Sequence, residues 1–355
     1  MSMNTRDDAN RTSPSAEPAG RGGLSLRGLA QAAIGLVALA VVVMRSDAHG
    51  LVEAIRSTRI LYLPLAVAAS FAVTWLMAYR WGVILSVRGH RIKTRRLFAY
   101  YLIGIFFMNF VPGGGVSGDV ARLIYVNREV RDRAFGVSTL IYERLVGLFT
   151  LLLIGLAATI ASRAYVQAER AIYVGEAVLG LAFIATTALF SEHVSSRLAG
   201  LVKSAGVLLR VERVGRAAAR TIEAISELRR HRGMLMRTVA LSMLIRVVWG
   251  AGCFIVALAM GLPLGLPIVF AFISLVDLIR MLPISIGGLG VREWVMIALF
   301  ASVGISREQA LTFSILAFAS IYLNAVAGGL VYISMARVKR AESRMSDLDL
   351  KRSEA

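Results

Sequence analysis

The chain is poor in the residues from which enzymes and metal centres are built. Of 355 residues, one is cysteine, four are histidine and seven are proline. A lone cysteine, Cys253, can close no disulfide and no thiolate metal site within one chain, and it lies inside an apolar run. His49, His90, His193 and His231 all fall in polar segments, none with a partner at metal-ligand spacing. The sequence has no glycine–lysine phosphate loop and no dinucleotide fingerprint. It also offers no nucleophile with a base and an orienting partner. No cofactor and no metal are expected, and nothing in the chain provides for coupling to ATP. Charge is scarce as well. Charged residues make up 17% and hydrophobic residues 57%, with a mean hydropathy of +0.68. A soluble domain is nearer half apolar and about a quarter charged. The alternating segments of about ten residues that make a membrane β-barrel are absent.

What is abundant is apolar sequence in long runs. Runs at 29–45, 60–79, 135–161, 171–190, 235–261 and 310–335 approach the roughly 20 residues that cross a bilayer as a helix. Two more regions, 97–126 and 268–303, are apolar but broken, the first at Pro112 and the second at Pro283 and Gly287–Gly288. Their halves are short of a full crossing. The formal charge of +18 sits mostly in the polar segments between runs, which is the positive-inside pattern and argues against nucleic acid. Segments 80–96 and 191–234 are strongly basic, so both are expected on the cytoplasmic side. That holds only if 97–126 enters and leaves on one face as a re-entrant hairpin, and the basic C-terminal "RVKRAESR" is cytoplasmic too if 268–303 does the same from the opposite face. The expected fold is an all-α polytopic membrane protein of about six spans and two opposed hairpins. It sits in a bacterial-type inner membrane with both termini cytoplasmic. Residues 1–27 form a disordered tail, 28–336 a single transmembrane domain and 337–355 a second tail. Segment 191–234 reads as either an interfacial amphipathic helix or a solvated linker.

The two broken regions echo each other. "PGGGVSGDVAR" (112–122) and "PISIGGLGVRE" (283–293) both run from proline through glycines to charge at the start of a new helix. Broken helices at matching places in two halves are the mark of an inverted-repeat transporter, whose halves rock around a central site. Irregular backbone at membrane depth must face protein or a wet cavity. Gly114, Gly118, Gly287, Gly288 and Gly290 either expose N–H groups to an anion at a helix start or permit close helix packing. Charges lie at the same depth: Asp119 and Arg122, Glu143 and Arg144, Asp277 and Arg280, Arg292 and Glu293, with Arg246 in the middle of the 235–261 run. Each costs roughly 2.5–3.5 kcal/mol at mid-bilayer on insertion scales, so compensation is required. The set either pairs internally for assembly or lines a polar cavity whose excess arginine suits a phosphate. Asn109, Asn324 and Tyr322 are polar members of apolar runs, and interhelical hydrogen bonding is their default role. Trp75, Trp81, Trp249 and Trp294 read as interface anchors.

"NFVPGGGVSGDVAR", "YERLVGL" at Tyr142–Leu148 and "RMLPISIGGLGVRE" at Arg280–Glu293, in this order, resemble the lysylphosphatidylglycerol synthase transmembrane-region family. That family includes the flippase half of the multiple peptide resistance factor. The resemblance covers roughly 30–336 and implies an integral membrane fold that moves a lipid or lipid-linked headgroup between leaflets. It marks Asn109, Pro112, Gly114, Gly118, Asp119, Arg122, Glu143, Arg144, Pro283, Gly287, Gly288, Gly290, Arg292 and Glu293 as motif positions. The two-part members also carry an aminoacyl-transfer domain, which this sequence lacks, so lipid synthesis is not implied. The expected function is a lipid translocase whose partner is a membrane lipid with a phosphate headgroup. The expected substrate-binding set is Asn109, Gly114, Gly118, Asp119, Arg122, Glu143, Arg144, Asp277, Arg280, Gly287, Gly288, Gly290, Arg292 and Glu293. Two rivals stay open: a membrane transferase on lipid-linked sugars or headgroups, and a non-transporting partner of a lipid-synthesis complex. Self-association or a lipid-synthesis enzyme partner also stays open.

Overall fold

The computed structural model describes residues 45–111, 115–130, 132–163, 169–189, 197, 231–281 and 285–353, with scattered positions between 33 and 44. Segment 1–27, most of the 29–45 run, Pro112, Gly114, Pro283 and nearly all of 191–230 lie outside the described residues. Every described element is helical. In chain order these are α1 (Ala48–Arg56), α2 (Leu63–Leu85), α3 (Thr94–Phe110), α4 (Gly115–Val130), α5 (Arg133–Ser162) and α6 (Glu169–Leu189). After the 191–230 gap come α7 (Arg232–Ala259), α8 (Leu266–Arg280), α9 (Val291–Ala301) and α10 (Arg307–Ser353).

Among the described residues, four stretches are long and apolar enough to cross a bilayer: Ile60–Arg88, Arg133–Ser162, Arg232–Ala259 and Arg307–Arg337. The 171–190 run does form a helix, α6, but its apolar part, Tyr173–Ile184, is shorter. Large apolar side chains such as Leu65, Leu181, Ile184, Leu244 and Leu330 point outward, a surface that suits lipid tails and not water. The chain is therefore a membrane protein, all-helical among the described residues.

Local chemistry sets the helix ends. Val111 stands before Pro112 and is extended (φ −116, ψ 137), because the proline ring disfavours a helical residue ahead of it, so α3 stops there. Asp132 caps α5 by accepting from the Phe135 N–H at 3.0 Å. Gly290, at φ 81, starts α9, and the Glu293 carboxylate reaches back to accept from its N–H at 2.7 Å. Ser306 and Gln309 form a reciprocal capping box at the start of α10. That helix then continues unbroken past Arg337 to Ser353. Residues 337–353 of the expected tail are thus helical, and "KRAESRMSDLDLKRS" contains no glycine or proline to stop the helix.

Each broken region folds back on itself. Along α3 and α4, Gly104 meets Gly118, Tyr100 stacks on Tyr125 at 5.2 Å, and Arg96 pairs with Glu129 at 3.8 Å, so the two helices run antiparallel. A Cβ on Gly118 would come within 2.5 Å of the Gly104 carbonyl oxygen, so this glycine is required for backbone contact. Along α8 and α9, Phe272 meets Phe300 at 5.8 Å while Arg280 meets Gly288 near the turn, again antiparallel.

Around these pairs the long helices repeat one plan. α2 and α7 run antiparallel in contact: the Arg59 N–H donates to the Ala259 carbonyl at 2.8 Å, Gly252 touches Ala69, and Arg80 reaches Ser242. The short helices then cross over. α3 packs on α10, where Gly328 lies against the Leu102 backbone, and α8 packs on α5, where Gly155 lies against Ser274. Small residues at both crossings let backbones approach, which is how helices associate where no hydrophobic effect drives them together. One apolar core gathers Trp249, Phe272, Phe300, Phe313 and Phe318, and another gathers Trp81, Ile84, Leu97, Phe135 and Tyr142.

Candidate functional site

Between the two fold-back pairs lies a cavity of about 590 Å³. Its wall takes residues from α2, α3, α4, α5, α7, α8, α10 and the Ser285–Gly288 turn. Eight charged side chains line it: Arg80, Arg122, Arg144, Arg246 and Arg280, with Asp119, Glu143 and Asp277.

In the first half the carboxylates bridge arginines. Glu143, on α5, accepts from Arg80 Nη2 at 2.7 Å and Arg122 Nη1 at 3.3 Å, and the Tyr101 hydroxyl also donates to it. Asp119 accepts from Arg122 at 2.6 Å through one oxygen and from Arg144 at 2.8 and 3.0 Å through the other. Arg122 also lies over the Tyr101 ring at 4.2 Å and the Trp81 ring at 5.2 Å, where the ring faces attract its charge. Arg80 donates a further bond to Ser242 Oγ at 2.6 Å, which ties α2 to α7. Glu143, Arg80 and Arg122 are buried, whereas Arg144 stays open, with its side chain 41% exposed.

The second half carries a smaller version. Asp277 on α8 accepts from Arg246 at 3.0 Å through one oxygen and from Arg280 at 3.2 Å through the other. Arg280 lies over the Phe318 ring at 4.7 Å, and Arg292 lies over the same ring at 4.2 Å. On α10, Asn324 donates to Ser70 Oγ at 2.7 Å and accepts from Thr74 at 3.5 Å, an interhelical role as expected for a polar residue in an apolar run.

The structure brings Gly118, Asp119, Arg122, Glu143, Arg144, Asp277, Arg280, Gly287 and Gly288 to this one wall. It places four others differently. Asn109 bonds to its own helix at the Ile105 carbonyl and meets Gly287 outside the lining. Gly290 is the turn into α9. Arg292 and Glu293 pair with each other, buried behind the wall, and Glu293 also holds the start of α9. Gly114 lies outside the described residues.

Sequence reasoning missed Arg80 by assigning it to a cytoplasmic loop. The apolar "WGVILSV" that follows it was the signal that the helix continues, and α2 runs to Leu85. Tyr101 and Ser285 were missed as well. Trp81 and Trp249 are no interface anchors. Both are buried, Trp81 donating to Thr139 Oγ1 at 3.1 Å and Trp249 packing on Phe318. Trp75 and Trp294 are exposed. No cluster of potential metal ligands occurs among the described residues.

The family model for the lysylphosphatidylglycerol synthase transmembrane region matches residues 28–329. The chain is also similar to a UPF0104 membrane protein from Methanothermobacter thermautotrophicus, 23% identical over 290 residues that cover 77% of this chain and 85% of that protein. No solved structure matches the chain. With a family model that matches most of its length and the "YERLVGL" helix inside the match, the chain belongs to the lysylphosphatidylglycerol synthase transmembrane-region family.

Proposed function

We propose that this protein is a lipid translocase, flippase-like in action, that passes an anionic headgroup between leaflets while the acyl tails remain in lipid. The observation that carries the reading is the arginine-rich cavity held between two fold-back helix pairs. A bilayer has no use for eight charged groups gathered around one cavity unless they face one another and water. The α3–α4 and α8–α9 pairs are then re-entrant hairpins. Arg96–Glu129 ties the start of α3 to the end of α4, and Arg88–Asp132 ties the end of α2 to the cap of α5, which supports entry and exit on one face. The antiparallel α2–α7 contact supports a second half inverted relative to the first, so that the second hairpin enters from the opposite face. Basic 88–96 then lies inside, both termini are cytoplasmic, and the host is an inner membrane.

The charges take distinct parts. Arg246 and Arg280 meet the headgroup phosphate from the second half, and Arg144, the most open arginine, meets it from the first. Asp119, Glu143 and Asp277 keep the guanidiniums placed when no substrate is present. The test is reconstitution in liposomes with fluorescent phospholipids and an impermeant quencher. Wild-type protein is expected to expose inner-leaflet label, and an Arg246→Gln, Arg280→Gln double variant to do so at least tenfold more slowly. Wild-type rates equal to those of empty vesicles for phosphatidylglycerol, phosphatidic acid and phosphatidylethanolamine would sink the proposal.

A further inference from the structure

The charges around the cavity do not cancel. Asp119 is shared by Arg122 and Arg144, Glu143 by Arg80 and Arg122, and Asp277 by Arg246 and Arg280. Five guanidiniums therefore face three carboxylates on the lining, and two positive charges are left over, one in each half. Arg292 and Glu293 cancel each other behind the wall and do not change this balance.

Hydrogen bonding is left incomplete on the same wall. Arg80 Nε, Arg280 Nε and Ser285 Oγ are buried without a partner. Ser285 is 5% exposed and Arg80 4%, so both side chains are more than nine-tenths buried. Ser285 opens the turn in which Gly287 and Gly288 adopt φ 61 and 79, and Gly288 lies against the Arg280 side chain. The absence of a Cβ there is what lets the turn close onto Arg280. A buried donor left unmatched and a buried charge left uncompensated both cost free energy, and one bound anion relieves both.

We propose that the cavity is charge-matched to a dianionic phosphate, the headgroup of a phosphomonoester or diphosphate lipid, and discriminates against monoanionic phosphodiesters. A phosphomonoester carries about −1.5 to −2 at pH 7 and three strong acceptor oxygens. These match two surplus charges and three unmatched donors. A phosphodiester carries a single charge and leaves one guanidinium uncompensated. Arg280 and Ser285 form the seat in the second half, with Arg246 beside them and Arg80 facing from α2. The inference rests on reading the cavity as a headgroup path.

The experiment is isothermal titration calorimetry of the full chain in detergent with dioctanoyl phosphatidic acid, phosphatidylglycerol and phosphatidylcholine. Phosphatidic acid is expected to bind at least tenfold more tightly than phosphatidylglycerol, and phosphatidylcholine more weakly still. Arg280→Gln, which removes one surplus charge, is expected to abolish the preference for phosphatidic acid. Ser285→Ala, a smaller change that keeps the fold, is expected to reduce it several-fold. Equal affinity of wild-type protein for phosphatidic acid and phosphatidylglycerol overturns the inference, as does an undiminished preference in both variants. Competition by inorganic phosphate separates the sources of the dianion. Displacement of phosphatidic acid assigns the seat to the free ion, and no displacement assigns it to the lipid; either result upholds the dianion seat. Translocation is read separately. Equal flipping of phosphatidylglycerol and phosphatidic acid, with equal binding, would leave a translocase without this selectivity. Selective binding with no flipping would leave the seat without a translocase.

Discussion

Glu143→Gln is the substitution whose cost can be worked furthest. The glutamate is 5% exposed and joins three partners: Arg80 at 2.7 Å, Arg122 at 3.3 Å and the Tyr101 hydroxyl. Glutamine keeps the shape and one acceptor oxygen but removes the charge. With charge centres about 4 Å apart and an effective dielectric near 20, each lost attraction is about 4 kcal/mol. The glutamate's own desolvation, several kcal/mol, is relieved at the same time. The net is about 3–5 kcal/mol of destabilisation, typical of stranding one side of a buried ion pair. Arg122 keeps Asp119, so the strain falls mainly on Arg80, whose Nε already lacks a partner. The assay is reversible unfolding in mixed micelles, followed by tryptophan fluorescence, on Glu143→Gln, Arg80→Gln and the double variant. The double variant should lose less than the two singles combined, with a coupling above about 1 kcal/mol. Arg96→Gln serves as the exposed control, because the Arg96–Glu129 pair is 68% exposed on the arginine side and is worth at most about 1 kcal/mol. If Glu143→Gln costs no more than Arg96→Gln, or the cycle shows no coupling, the buried bridge is not holding α2, α4 and α5 together as argued.

Other outcomes follow from single contacts. Gly118→Ala should lower stability by about 1–3 kcal/mol, since its Cβ would press on the Gly104 carbonyl, whereas Gly180→Ala, with nothing within 4 Å, should be neutral or stabilising by up to about 1 kcal/mol; thermal melts of both variants in one detergent decide this. Asn324→Leu should cost about 0.6–1.7 kcal/mol through the lost bond to Ser70, and Ser70→Ala in the Asn324→Leu background should add little further. In a Cys253→Ala background, cysteines placed at Lys93 and Arg128 should react with an impermeant maleimide from the same side of the membrane; labelling from opposite sides would make 97–126 a through-crossing. Native Cys253 is buried in α7 and should resist the same reagent until the protein unfolds.

Much of this architecture was legible because a bilayer simplifies the code. Apolar runs at membrane depth had to be helices, and α3 stops ahead of Pro112 as the proline in sequence announced. Pairing at i,i+3 was also readable: Asp119 with Arg122 and Asp277 with Arg280 both form in the structure. What stayed hidden depends on rotation about a helix axis. Arg80 sits at the end of an apolar run, and only the packing of α2 on α7 decides that it turns inward instead of reaching the headgroups. The likeness of the two glycine motifs misled in the same way: Arg292 and Glu293 bring charge to the start of a helix as Asp119 and Arg122 do, but they pair with each other beside Phe318 and not on the cavity wall. Gly118 was ambiguous between anion contact and close packing, and the distance to Gly104 supplies a packing reason that its neighbours in sequence could not.

The crossed packing of short and long helices has a mechanical consequence. Each fold-back pair is clasped by a long helix encoded in the other half of the sequence, α3 by α10 and α8 by α5. Neither sequence half can then tilt as a solid piece without tearing both clasps. Any swinging body must instead be composite, made of elements from before and after the 191–230 segment. Severing the chain within that segment and expressing the fragments together should consequently yield one interlocked particle.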